Sequence, residues 1–355
     1  MPEPITRPRP RWRTRLWTFT KRLLACVAVG VFLSAGSGLT YQACATARDL
    51  RRFPPPGEMV SVGGHRLHAC ARGTGAPTVV FDSVVGASSL GWALVQPEVA
   101  RLTHTLAYDR AGYGWSEAGP RPRSAGEIVT ELHALLTRSG TPGPYVLVGA
   151  SFGGSLARLY ALRYPDEVAG LVLVDPAHED QFARMSASTR PPLLMLRLFQ
   201  VAAHLGILRL AGMPVDVAGM RVLPPDLQMA ATAVGYRTDA VEAIVAETAA
   251  LDQSLSQIRQ ARIAAGPVPL GSRPLLVLTH KESAALEGAE AADYATWVAL
   301  HQSLASESSC GRQVVVEKSG HFIAVDQPAR VVEAIREVVT AVRNAGTPAG
   351  RRPAV

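Results

Sequence analysis

Residues Tyr145-Val146-Leu147-Val148-Gly149-Ala150-Ser151-Phe152-Gly153-Gly154 decide how this chain is read. The run 145–148 is short, apolar and rich in β-branched residues, which fits a strand buried on both faces. A helical pattern follows over 155–164. A serine between a strand end and a helix start sits in a sharp turn. Its neighbours two before and two after must be tiny for the chain to reverse there. Gly149 and Gly153 meet that demand, and Ala150 adds no bulk. Such a turn lifts the Ser151 hydroxyl above the sheet, at the positive end of a helix dipole. The string G-x-S-x-G is weak by itself; the strand–turn–helix context gives it weight.

Outward from this turn, similar apolar runs recur at 78–81, 105–108, 171–174, 275–278 and 314–316. Two more, 59–62 and 67–71, flank Gly63-Gly64 as an opening hairpin. Helical patterns lie between them at 90–102, 125–139, 155–164, 291–306 and 329–343. The alternation predicts an α/β fold, a mostly parallel eight-stranded sheet with helices on both faces. One interval breaks the rhythm. Between Val174 and Leu275 there are helical patterns (193–210 and 239–262) but no convincing strand. The expected organisation is therefore a sheet domain over 58–177 and 269–343, a helical cap inserted over 178–268, and a frayed tail over 344–355.

The N-terminus reads as a membrane address. Residues 1–22 are basic, and 23–43 carry no charge. A helix of that length rises about 31 Å, enough to cross a bilayer core. The basic flank predicts a cytoplasmic N-terminus with the catalytic domain outside. Ala43 and Ala45 also form an A-x-A site, so secretion after signal cleavage competes with a retained anchor. Residues 44–57, ending in Phe53-Pro54-Pro55-Pro56-Gly57, read as a stiff linker.

The formal net charge of +7 invites a nucleic-acid reading, but its location argues otherwise. Ten of the 36 Lys/Arg and two of the 29 Asp/Glu lie within residues 1–52, which leaves 26 bases against 27 acids in the rest. A nearly neutral folded part gives no nucleic-acid footprint. Hydrophobic residues at 48% support a sizeable core. Four cysteines are too few for a disulfide-built scaffold and show no zinc spacing. Cys70–Cys310 is the one pairing considered for an exported domain.

A neutral hydroxyl needs a base to become a nucleophile. His321, in Ser319-Gly320-His321-Phe322, follows the last strand, where open α/β sheets place their sites. The acid that would orient it has two candidates at strand ends: Asp175 in Val174-Asp175-Pro176, and Glu282 in Thr279-His280-Lys281-Glu282. An oxyanion needs two backbone donors. Phe152 N–H, directly after the serine, is one; Val84 or Val85, on the loop after strand 78–81, is the other. In Tyr108-Asp109-Arg110-Ala111-Gly112-Tyr113-Gly114, Asp109 and Arg110 are placed to pair in a structural role.

Taken together, GASFGG with Ser151, the YDRAGYGWS stretch, LVLVDPAH and SGHFIAVDQP with His321 resemble the α/β-hydrolase superfamily over 58–343. The likeness is to its capped esterase, aminopeptidase and epoxide-hydrolase-like branch. It implies an α/β-hydrolase fold and a Ser-His-acid triad cleaving a carboxylic ester of a small molecule, with no cofactor or metal. Ser151 stands where epoxide and haloalkane hydrolases use Asp. Two departures stand out: Asp82-Ser83 replaces the usual His-Gly of the oxyanion loop, and the acid after the penultimate strand is Glu282 or is supplied by Asp175. Leu193, Leu194, Met195, Leu196 and Leu198 of the cap are expected to line an apolar pocket over Ser151. Two other functions compete. An aminopeptidase would hold a substrate amine with Glu179, Asp180, Asp239 or Glu242. A binding protein on the same fold would have lost its chemistry.

Overall fold

The computed structural model describes residues 11–185, 192–213, 222–282 and 287–346. It opens with one long helix, α1 (Arg11–Arg52). The sheet region then alternates β1 (Glu58–Ser61), β2 (Arg66–Arg72), β3 (Thr78–Asp82), α2 (Gln96–Ala100), β4 (Thr105–Tyr108), α3 (Ala125–Arg138), β5 (Tyr145–Ala150), α4 (Phe152–Arg163) and β6 (Val168–Val174). Among the described residues six helices follow: α5 (Gln181–Arg184), α6 (Leu193–His204), α7 (Ile207–Leu210), α8 (Pro225–Gly235), α9 (Thr238–Ala249) and α10 (Leu251–Ala264). The sheet resumes with β7 (Leu275–Lys281), α11 (Gly288–Ala305), β8 (Gly311–Glu317), α12 (Ile323–Asp326) and α13 (Pro328–Gly346).

The eight strands lie in the order β1-β2-β4-β3-β5-β6-β7-β8. β1–β2 and β2–β4 pair antiparallel, and all later pairs are parallel. The apolar runs hide a two-residue period, because both faces of the sheet are covered. In β6, Leu171 and Leu173 join α3, α4 and α10, while Val172 and Val174 join α2 and α13. Both sets are fully buried, so the strand shows no polar alternation.

Helix boundaries depart from expectation where the backbone turns. The pattern 193–210 breaks at Gly206, whose φ of 69° ends α6 and starts α7. The pattern 239–262 breaks at Ala250. Its second half, α10, lies within the segment assigned to the cap yet packs on the sheet layer. Ile258 is buried with Leu132 and Leu156, Ser254 Oγ accepts from Ala125 N at 2.9 Å, and Gln257 Oε1 accepts from Gly126 N at 2.8 Å. The tail expected from 344 is helical through Gly346, and the remainder lies outside the described residues.

Helix α1 is long and apolar enough to cross a membrane: its best 18-residue window has a mean hydropathy of 1.9 and is wholly unburied. The linker is shorter than expected. Residues 44–52 continue the helix, because no proline interrupts them before Pro54. Only Phe53–Gly57 lies between helix and strand, and Phe53 O accepts from Trp115 Nε1 at 2.8 Å. The Cys70–Cys310 pairing does not form: Cys70 is buried, Cys310 is exposed, and both are free thiols.

Candidate active site

Ser151 occupies a strained turn between β5 and α4, with φ 51° and ψ −121°. A non-glycine residue at positive φ persists only where its surroundings hold it. Here the segment after β6 does so. Ser151 N donates to Val174 O at 3.1 Å, and Ser151 O accepts from Ala177 N at 2.9 Å. Glycine at 153 is required by contact: a Cβ there would stand 2.6 Å from the carbonyl oxygens of Asp82 and Ser83. The elbow therefore presses directly on the loop after β3.

That loop is tied down by a buried cation. Arg110 donates to Asp82 Oδ1 at 2.5 Å, Ser83 O at 2.6 Å, Val84 O at 3.0 Å and both oxygens of Glu247 on α9 at 3.0 and 3.2 Å. Burial pushes the Asp82 carboxyl upward, and Arg110 and Tyr108 pull it back only in part. The expected Asp109–Arg110 pair is not formed. Asp109 instead accepts from His68 Nδ1 at 2.8 Å, Ser89 N at 2.6 Å and Trp115 N at 3.0 Å. Arg110 thus takes up the carbonyl oxygens of the loop that carries Val84 and Val85. Phe152, as the first residue of α4, carries one of the N–H groups that a helix cannot pair internally.

His321 lies after β8, and its Nδ1 stands 2.5 Å from Asp175 Oδ2. Asp175 directly follows β6 at φ 44° and is fully buried. The same carboxylate binds three further donors: His280 Nδ1 at 2.7 Å, His280 N at 3.0 Å and Trp297 Nε1 at 3.0 Å. Burial would raise the Asp175 pKa. The bonds from His280 and His321 and the nearby charges outweigh it, and hold the carboxyl well below the ordinary range. Burial works against a charged His280, yet the Asp175 bond and charge raise its pKa. Glu282 makes no such bond; it is exposed on the rim, where an added Cβ at Gly320 would lie 3.6 Å from its Oε1. Of the two acid candidates, only Asp175 touches His321. His280 and Trp297 were not singled out from the sequence, and no local signal marks them: one merely ends a strand, and the other sits inside a helix.

Ser151 and His321 open into one cavity of about 630 Å³. Ala177, Gln181, Met185, His280, Tyr294 and Trp297 line it, with Glu282 and Glu290 at its edge. No hydrogen bond joins Ser151 Oγ to the imidazole. Asp175, His280 and His321 also present atoms within 4.8 Å of one another, close enough to share a cation. Both Nδ1 atoms are already bound to the Asp175 carboxylate.

One expectation about the cap fails. The Leu193–Leu198 stretch does not line the cavity. Phe199, Ala202 and Ala203 dock α6 onto Val241 of α9, which turns Leu193, Leu194, Met195 and Leu198 to the outside. The carboxylates considered for holding a substrate amine are already paired. Glu179 binds Arg158 and Arg262, Asp180 binds Arg259, Asp239 binds Arg237, and Glu242 binds Arg121 and His204.

Comparison with known proteins agrees with this architecture. YqjL of Bacillus subtilis (strain 168), itself uncharacterized, is 27% identical over 279 residues, which is 78% of this chain and 90% of YqjL. A thermophilic esterase from Thermogutta terrifontis superposes with a TM-score of 0.57 at 21% identity, over 80% of this chain and 97% of the esterase. The enol-lactonase from Burkholderia xenovorans LB400 gives 0.58 at 20% identity, over 80% of this chain and all of the lactonase. At these identities the two structures speak to the fold. The family model described as "Alpha/beta hydrolase family" matches residues 73–334. Because that match runs from just before β3 into α13, it covers the strands β3 to β8, the insert and both loops that face the cavity, and the chain belongs to the alpha/beta hydrolase family.

Proposed function

We propose that the protein is a serine hydrolase that cleaves a carboxylic ester through an acyl-enzyme, with Ser151 as nucleophile, His321 as base and Asp175 as the acid. One observation carries the reading: the buried Asp175 carboxylate lies 2.5 Å from His321 Nδ1, on an imidazole that shares its cavity with the strained Ser151. Asp175 holds the Nδ1–H tautomer, which leaves Nε2 free to accept the serine proton. Ser151 Oγ then attacks the ester carbonyl. Phe152 N–H and a donor from Val84 or Val85 take the oxyanion, each contributing about 3 kcal/mol in comparable sites. His321 passes its proton to the departing alcohol, and water, activated by the same imidazole, releases the acid. Glu282 and Glu290 at the cavity edge disfavour anionic substrates.

The domain is held at a membrane by α1. Cleavage near Ala45 would remove Gly38, Tyr41 and Gln42. Gln42 is buried, and its Nε2 donates to Tyr236 O at 2.6 Å. Contacts of this kind favour a retained anchor over a cleaved signal. The hydrolase reading is tested with a fluorophosphonate probe on the full chain in detergent. Labelling is expected in the wild type and absent in Ser151→Ala; equal labelling of the variant would exclude Ser151 as nucleophile.

A further inference from the structure

Helix α6 has three sides. Phe199, Ala202 and Ala203 face the protein. Arg197, Gln200 and His204 form a polar strip at helical spacing. Leu194, Leu198 and Val201, spaced i, i+4, i+7, form a third side that touches no core, and Leu210 of α7 continues it. Leu194 is 72% exposed, Leu198 63% and Leu210 69%. Soluble domains seldom leave a contiguous apolar patch of this kind uncovered.

Its position says what covers it. The corner between α6 and α7 is where the catalytic domain meets α1. A Cβ on Gly38 would stand 2.5 Å from Leu205 O, and the Tyr41 ring rests against Gly206. Arg209 of α7 pairs with Asp49. Counted from Leu23, the 21 residues that a membrane span needs end at Ala43, so α6 and α7 join α1 within the last turn and a half of that span, about 8 Å of rise. That is the level at which a spanning helix leaves the hydrocarbon. Arg48, Arg51 and Arg52 follow within the next three turns, at headgroup height.

We infer that α6 and α7 lie in the membrane interface beside α1, with Leu194, Leu198, Val201 and Leu210 immersed in lipid. The catalytic domain then rests on the bilayer through its cap and does not swing freely on a tether. The inference depends on the reading of α1 as a retained span, and it is independent of the proposed chemistry.

The full chain is reconstituted into phosphatidylcholine–phosphatidylglycerol vesicles containing a phospholipid with a diazirine in its acyl chain. After irradiation, lipid adducts are mapped by mass spectrometry. Adducts are expected on 193–210 as well as on 23–43. In the L194E/L198E/L210E variant, the yield on 193–210 should fall at least about fivefold against that on 23–43, since charge resists the hydrocarbon. Adducts on 23–43 alone would overturn the inference and leave the span intact. Adducts on neither segment would overturn the span and the inference with it. Cross-links between the 193–210 segments of isotopically distinct copies, without lipid adducts there, would assign the face to a second copy and equally overturn it.

Discussion

Replacing Asp175 by Asn separates orientation of the imidazole from every other role of the carboxylate. One oxygen, Oδ1, accepts from His280 N and Trp297 Nε1; the other, Oδ2, accepts from the Nδ1 atoms of His280 and His321. An amide keeps the shape but supplies only one acceptor oxygen. If its NH2 replaced Oδ1, it would face a backbone N–H and an indole N–H, neither of which can accept. Two buried donor–donor contacts cost about 1–3 kcal/mol each. If the NH2 replaces Oδ2, its two hydrogens meet two imidazole nitrogens, and both rings satisfy them by moving their own proton to Nε2. The second arrangement wins by several kcal/mol.

The consequence is a stable protein with the wrong tautomer. His321 Nε2 would carry a proton and could not take one from Ser151. Triads whose acid becomes an amide lose about four orders of magnitude in turnover, which corresponds to about 5.5 kcal/mol of barrier. The assay is hydrolysis of a short p-nitrophenyl ester by the full chain in detergent, with the rate of fluorophosphonate labelling measured in parallel. Thermal unfolding of Asp175→Asn should stay near the wild type while both rates collapse. Glu282→Gln, on the rim, should keep both. Turnover of Asp175→Asn within about tenfold of the wild type would refute the tautomer argument. So would a collapse in Glu282→Gln alone, which would hand the acid role to Glu282.

His301 is fully buried between Thr279 Oγ1 at 2.8 Å and Pro176 O at 2.9 Å, and burial lowers its pKa from 6.5 to about 4. In the unfolded chain the imidazole takes up its proton near pH 6.5, and in the fold only near pH 4, so acidification through that window destabilises the protein, by up to roughly 3 kcal/mol for this group. Thermal unfolding measured from pH 7 to 4 should show a shallower decline in His301→Gln than in the wild type; parallel curves would exclude it. His280, whose pKa is raised, acts in the opposite window: its contribution is complete below pH 6.5 and is lost as pH rises through its folded value. Arg110→Met should cost about 3–5 kcal/mol of stability, because it leaves Asp82 and Glu247 buried without their cation. Calorimetry that found an unchanged melting point would contradict the role given to Arg110.

What was legible in the sequence had local causes. The turn at Ser151 rests on Gly149, Gly153 and a strand immediately before them, all within a few residues. The strands declared themselves because burial on both faces removes polar alternation, as in the uninterrupted 171–174. What was not legible depended on distance. Asp109 and Arg110 are chain neighbours, and adjacent side chains leave an extended backbone on opposite sides. Their partners are therefore His68 for one, and Asp82 and Glu247 for the other, up to 137 residues away. Asp175 and Glu282 each follow a parallel strand, so topology allowed both. The choice depends on φ 44° at Asp175, which turns its carboxylate toward His321 and Trp297, and no residue type announces that angle.

Composition misled most at α6. A run such as Leu193-Leu194-Met195-Leu196 says that water is to be avoided and nothing about what replaces it. Read as the lining of a pocket, it needs to face Ser151. The docking residues decide otherwise: Phe199, Ala202 and Ala203 are the side that meets Val241, so the positions roughly opposite the polar strip and away from them must point outward. A helix apolar on two sides but buried on one has a second apolar neighbour outside the chain. The contact of Gly38 and Tyr41 with Leu205 and Gly206 places that neighbour at the exit of α1. If α6 lies in the membrane interface, the residues expected to shape the substrate cavity form instead the surface on which the domain rests. Among the described residues, Met185, Tyr294, Trp297 and the rim carboxylates are the ones that line the cavity in their place.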